Sequence, residues 1–151
     1  KGYFAVIDAC DVSLVSCIRW HASEKRRKDK SIKCVYASSG QGNRKIILHR
    51  MLLGASNDVK VDHKDSDGLN NRRSNIRIAT PAQNSHNQRL RSDSTSGVKG
   101  VCWNKDVRKW HAQIRVHGKR IHLGLFINID DAASAYAKAA SHFHGEFARL
   151  T

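Results

Sequence analysis

Apolar and polar positions alternate most regularly late in the chain. Trp110, Ala112, Ile114 and Val116 interleave with His111, Gln113, Arg115 and His117, the period of a strand with one buried face. His117-Gly118-Lys119 predicts a tight turn, after which Ile121 and Leu123 point inward while Arg120 and His122 point outward. Val98 to Trp103 supplies a strand ahead of these two. The period then changes to that of a helix. Ala132, Ala133, Tyr136, Ala139, Ala140 and Phe143 form one apolar stripe, opened by Asn128 as N-cap and closed at Gly145. Asp130 and Asp131 fall in its first turn, where the helix dipole favours acids.

Earlier in the chain the pattern is less regular. Tyr3 to Ile7 reads as a short strand, and Asp11 as the cap of a helical turn with Val12, Val15 and Ile18 on one face. Residues 24–30 are polar throughout and read as a solvated, strongly basic loop. Ile32 to Ala37 predicts a second strand. Residues 46–53 read as a buried helical segment ending at Gly54, in which His49 is expected to be a hydrogen-bonded core residue. Residues 75–79 alternate as a strand, and Thr80-Pro81-Ala82-Gln83 carries a helix start with Thr as cap and Gln completing a capping box. The polar stretch from Arg89 to Gly97 has linker composition. The expected division is therefore a first domain over 1–91, with a supporting sheet in 1–45 and a core motif in 59–89. A linker over 92–96 and a second domain over 97–151 complete it.

Charge narrows the partners. Lys and Arg number 27 against 13 Asp and Glu, a formal charge of +14 on 151 residues. Lys and Arg that neutralise phosphates dominate non-specific nucleic-acid affinity, so DNA or RNA is the first candidate, with double-stranded DNA the expected partner, and an anionic membrane surface the second. No segment approaches the roughly 18 consecutive apolar residues of a membrane helix, and Asp8 interrupts the opening apolar run too early for a secretory leader. A cytoplasmic location is expected. Cys10, Cys17, Cys34 and Cys102 form no Cys-x-x-Cys pair and are expected to be reduced thiols.

One polar cluster carries candidate chemistry. Val61 to Asn75 holds Asp62, His63, Asp65, Asp67, three asparagines and two arginines. A calcium loop fails: setting Gly68 at the sixth position puts His63 where an acid is needed and Ser74 where a bidentate Glu belongs. A plain hairpin turn explains Asp67-Gly68 but not the Asp62-His63 pair. Asn84, in the first turn of the following helix, could face back toward Asp62. Two such oxygens suit a hard divalent cation whose shell is completed by water and phosphate, and His63 beside it could take a proton from the attacking water.

With Asn75 twelve residues after His63 and Asn84 nine after that, residues 46–91 resemble the ββα-metal nucleases of the HNH family, especially those of phages and group I introns. The resemblance implies His63 as general base, Asn75 as the asparagine bracing the long loop, and Asp62 and Asn84 as ligands of one Mg²⁺ or Mn²⁺ ion. Gln88 stands where toxin-type relatives carry another histidine, which makes zinc and nickel less suitable. Arg72, Arg73 and Arg77 are either phosphate clamps or solvated strand-end charges.

Residues 96–150 are similar to the Apetala-two/ERF DNA-binding domain. The similarity rests on Ser96-Gly97-Val98-Lys99-Gly100-Val101, Lys109-Trp110-His111-Ala112-Gln113-Ile114-Arg115, Gly118 to Phe126, Asp131 to Tyr136 and His144 to Leu150. It implies a three-stranded antiparallel sheet backed by one helix, and DNA contacts from Lys99, Gln113, Arg115, Arg120 and His122. Cys102 and His122 depart from the plant pattern, so base preference does not carry over. The expectation is an α+β chain acting as a site-specific, metal-dependent DNA endonuclease of homing type, monomeric and without a small-molecule cofactor. The alternative is a catalytically silent DNA-binding regulator.

Overall fold

The computed structural model describes residues 2–41 and 44–150, which form two compact units, 1–84 and 85–151. The chain is mixed α+β, with small sheets and four α-helices among the described residues.

In the first unit, a 3-10 turn at Ala9–Asp11 leads into α1 (Val12–Val15). Three antiparallel strands follow, β1 (His21–Arg26), β2 (Ile32–Gln41) and β3 (Arg44–Ile47), in that spatial order. Two expectations fail here. Tyr3 to Ile7 is not a strand: only Val6 makes a bridge, to Asn70. Conversely, the polar segment expected as a loop from Glu24 is half strand, because Glu24, Lys25 and Arg26 pair with Val35, Cys34 and Ile32. The segment 46–53 also splits, ending β3 at Ile47 before the short α2 (Leu48–Leu52) begins.

The core of this unit is small. Ala37, Leu48, Leu52 and Ile76 are buried, with Ile7, Val15, Trp20, Leu53 and Val61 packed on them. At about 1.5–3 kcal/mol per fully buried large aliphatic side chain, such a core leaves much of the local order to polar contacts. Arg50 on α2 makes one of these: its Nη1 donates to Val59 O at 2.9 Å and its Nη2 donates to Ser56 O. Those bonds fix the entry to β4 (Lys60–His63), which pairs antiparallel with β5 (Ile76–Ala79). α3 (Pro81–His86) follows directly and carries the capping box. Gln83 N donates to Thr80 Oγ1 at 3.2 Å, and Thr80 N donates to Gln83 Oε1 at 2.8 Å.

The second unit contains β6 (Val101–Asn104), β7 (Lys109–Val116), β8 (Lys119–Phe126) and the long α4 (Ile129–His144). The strands form one antiparallel sheet in chain order. Val101, Ala112 and Ile114 share a core with Ala132, Tyr136 and Ala140 of α4. Alanines at these helix positions leave no bulk between helix and sheet. Gly100 takes the same logic further, since a Cβ there would strike the Tyr136 ring. Two helix details differ from expectation. Asn128 occupies the N-cap of α4 without a side-chain capping bond, and Phe143 is 44% exposed instead of completing the stripe. Residues 92–96, expected as a linker, lie within this unit, where Ser96 Oγ donates to Val98 O and Val101 O at 3.0 and 2.7 Å.

Candidate active site and nucleic-acid interface

Asp62 and His63 end β4 side by side, both buried at 6% exposure. The turn that follows is tied by its own polar groups. Asn75 Nδ2 donates to Asp65 Oδ1 at 2.9 Å and Asn70 O at 2.7 Å, while Asn75 Oδ1 accepts from Asp65 N at 3.2 Å. Asn70 Nδ2 donates to Asp65 Oδ2 at 2.7 Å. Burial acts to raise the Asp65 carboxyl, but these amide donors and Asp67 N outweigh it and hold it below the ordinary range. Gly68 closes the turn onto the sheet. A Cβ at that position would collide with Val35 O and lie 2.7 Å from the Tyr36 ring.

A residue passed over in the sequence completes the His63 environment. Asn71, with no exposed surface, sits with Oδ1 3.4 Å from His63 Nε2, and its own Nδ2 donates to Leu69 O at 2.9 Å. The second bond orients the amide so that its oxygen faces the ring. An oxygen can only accept, which puts the proton on Nε2 and the lone pair on Nδ1. Burial pushes the His63 pKa below its ordinary value, against smaller upward pulls from Asn71, Asp65, Asp62 and Asp67. Burial therefore favours the neutral ring. Nothing in composition distinguishes Asn71 from Asn70 or Asn75; only the fold shows which asparagine meets the histidine.

The three arginines expected near phosphate are placed differently from one another. Arg77 is the cross-strand partner of Asp62, and its Nε and Nη2 donate to Asp62 Oδ2 at 3.0 and 2.9 Å. Both side chains of this pair are about nine-tenths buried. Arg73 is held from the N-terminal segment: Nε and Nη2 reach the buried Asp11 carboxylate at 3.0 and 2.7 Å, and Arg73 N donates to Asp8 Oδ2 at 2.7 Å. Asp11 is therefore an anchor for Arg73, and it makes no side-chain cap on α1. Arg72 is exposed.

Asn84 is half-buried on α3, with its backbone N–H bonded to Thr80 O at 2.9 Å. Asp62 and Asn84 offer oxygen donors only. No group of three or more His, Cys, Asp or Glu suited to a metal ion occurs among the described residues. That donor chemistry fits a hard cation which keeps several waters and does not fit a zinc cage.

In the second unit, the register places Gln113 opposite His122 and Arg115 opposite Arg120, so these four lie as two cross-strand pairs on one face. Their neighbour His111 has Nε2 2.8 Å from His122 Nδ1. Arg115, Arg120 and His122 are exposed, and Gln113 is half-buried. Lys99 departs from this set: its Nζ donates to His86 O at 2.8 Å, and burial lowers its pKa. No described helix is long and apolar enough to cross a membrane.

Neither a family model nor a solved structure matches the chain. Two curated viral proteins do. An uncharacterized HNH endonuclease of Acanthamoeba polyphaga mimivirus is 29% identical over 150 residues, covering 98% of this chain and 74% of that protein. Protein 3.8 of Escherichia phage T7 is 33% identical over 90 residues, covering 60% of this chain and 74% of the phage protein. With that identity spread over three quarters of the phage protein, the chain belongs to the family of T7 protein 3.8.

Proposed function

We propose that this chain is a divalent-metal-dependent DNA endonuclease of the HNH type. The full-length likeness to the mimivirus HNH endonuclease supports a nuclease. The observation that carries the reading is a buried His63 beside a buried carboxylate, with its Nε2 directed at Asn71.

In this reading His63 Nδ1 takes the proton of the attacking water, and the Asn71 amide keeps Nε2 protonated so that Nδ1 remains the basic nitrogen. Asn75 holds the turn that carries Asn71 and so fixes the distance between base and substrate. Asp62 and Asn84 would hold one Mg²⁺ or Mn²⁺ ion, which when bound supplies positive charge to the phosphate in its transition state. Arg72, exposed beside the turn, meets a phosphate of the DNA backbone. The basic face of β7 and β8 gives the second unit its DNA contacts through Gln113, Arg115, Arg120 and His122. A homing role for a phage or mobile intron is consistent with the viral relatives.

Incubation of the intact chain with supercoiled plasmid and Mg²⁺, beside His63→Ala, tests the reading. Nicked or linear product from the wild-type chain alone is expected. A wild-type chain that binds DNA tightly and cuts neither plasmid nor its native locus would establish the silent-regulator alternative instead.

A further inference from the structure

His49 has no part in the mechanism above, yet it is built into the wall of the same site. It lies on α2, 7% exposed, and its ring stands perpendicular to that of His63, with centroids 4.8 Å apart and planes at 86°. Tyr36 of β2 closes the group, 5.3 Å from His49 and 6.0 Å from His63. The expected hydrogen-bonded core role does not account for it. Among the described residues, two buried side-chain atoms lack a hydrogen-bond partner, His49 Nδ1 and Asn70 Oδ1, and both border this site. An aliphatic residue would fill the space without stranding a polar atom. What an aliphatic residue lacks is a flat ring.

We propose that His49 is a positioning residue for His63, its buried ring packing edge-to-face on the general base and fixing the plane in which that imidazole meets Asn71. The inference rests on the endonuclease reading for its functional meaning, but its structural content is independent of it. The Asn71 contact at 3.4 Å gives Nε2 a direction, and an edge-to-face neighbour resists tilting of the ring plane. The His49 and Tyr36 rings together hold Nδ1 in one direction. Rotation of His63 would turn the lone pair away from the water it must meet, so orientation here enters the rate directly. Burial lowers the His49 pKa to about 3, so this neighbour brings no positive charge to a site that acquires one when His63 is protonated.

The test compares the intact wild-type chain with His49→Leu, which removes the ring, and His49→Phe, which restores a ring without nitrogens. ¹⁵N nuclear magnetic resonance reads the His63 tautomer in each, and plasmid cleavage with Mg²⁺ reads kcat and KM. Wild type is expected to show His63 as a single Nε2–H tautomer. In His49→Leu the two ring nitrogens move toward averaged shifts, and kcat falls roughly ten- to a hundredfold. KM for DNA stays within about twofold, the signature of a lost transition-state contact and not of lost binding. His49→Phe recovers the single tautomer and most of kcat. Leucine and phenylalanine variants with the same spectrum and the same kcat would overturn the proposal. So would an averaged His63 tautomer in the wild-type chain or in a folded His49→Phe, which decides the matter should His49→Leu not fold. If the wild-type chain cuts no DNA, the endonuclease reading fails while the spectra still decide the role of His49.

Discussion

The turn from Asp65 to Asn75 and the outer face of β7 and β8 are both crowded with polar residues, and they use them in opposite ways. In the turn, Asn71 and Asn75 are buried, and Asp65, Asn70 and Asn75 bond to one another and to the backbone. On the sheet face Arg115, Arg120 and His122 are exposed and registered in cross-strand pairs. The arginines show the contrast best: Arg73 and Arg77 are committed to Asp11 and Asp62, whereas Arg115 and Arg120 present their charge to solvent. Polar groups tied to one another across the turn fix a geometry, and those turned to solvent on the sheet can meet a partner. A substitution in the turn should therefore act on folding and on rate, and one on the sheet face on binding alone.

The sharpest test of that division is Asn75→Ala. It removes three hydrogen bonds, two of them to Asp65, a loss of about 2–4 kcal/mol in unfolding free energy at roughly 1 kcal/mol per bond. Denaturant titration measures it; an unchanged midpoint would mean that the turn is held elsewhere. Gly68→Ala comes next, at about 1–3 kcal/mol, because the added methyl forces the turn off Val35 and Tyr36. Cleavage should fall with it, since the turn carries Asn71.

Arg115→Ala probes the other region. It should weaken specific DNA binding by about 1–3 kcal/mol while leaving the melting temperature unchanged. A variant that binds normally but melts early would reverse the assignment of the two regions. The last comparison comes from pH. His49 has a folded pKa of about 3 against an ordinary 6.5, so the unfolded chain binds the extra proton between these values. Its contribution to stability is complete above 6.5 and is lost as pH falls toward 3. Calorimetry from pH 7 to 5 should show a falling melting temperature, with a shallower slope in His49→Leu.

Where a periodic pattern decided an element, the sequence could be read directly: the alternation around Trp110 became β7, and the alanine stripe became the buried face of α4. The capping box at Thr80 was equally legible, because its chemistry is contained in four residues. β1 was not, since its residues lie at a largely exposed edge and carry no apolar alternation. Tyr3 to Ile7 failed for the opposite reason: an apolar run needs a neighbouring strand, and this one finds only Asn70. In the candidate site, Asp62 and His63 stood out by type. Their partners did not, because Arg77 meets Asp62 through strand register and Asn71 meets His63 through a turn whose shape no spacing encodes.

The straps from the N-terminal segment to the turn have a consequence for biosynthesis. Val6 N donates to Leu69 O, Asn71 N to Val6 O, and Asp8 and Asp11 receive Arg73. Residues 6–11 can therefore find their places only after residues 69–73 have left the ribosome. Closing a loop of that length is a late event in folding. Ribosomes moving along the message would carry nascent chains whose His63 is made but not yet enclosed, because the turn beside it is completed only after residues 69–73 have emerged.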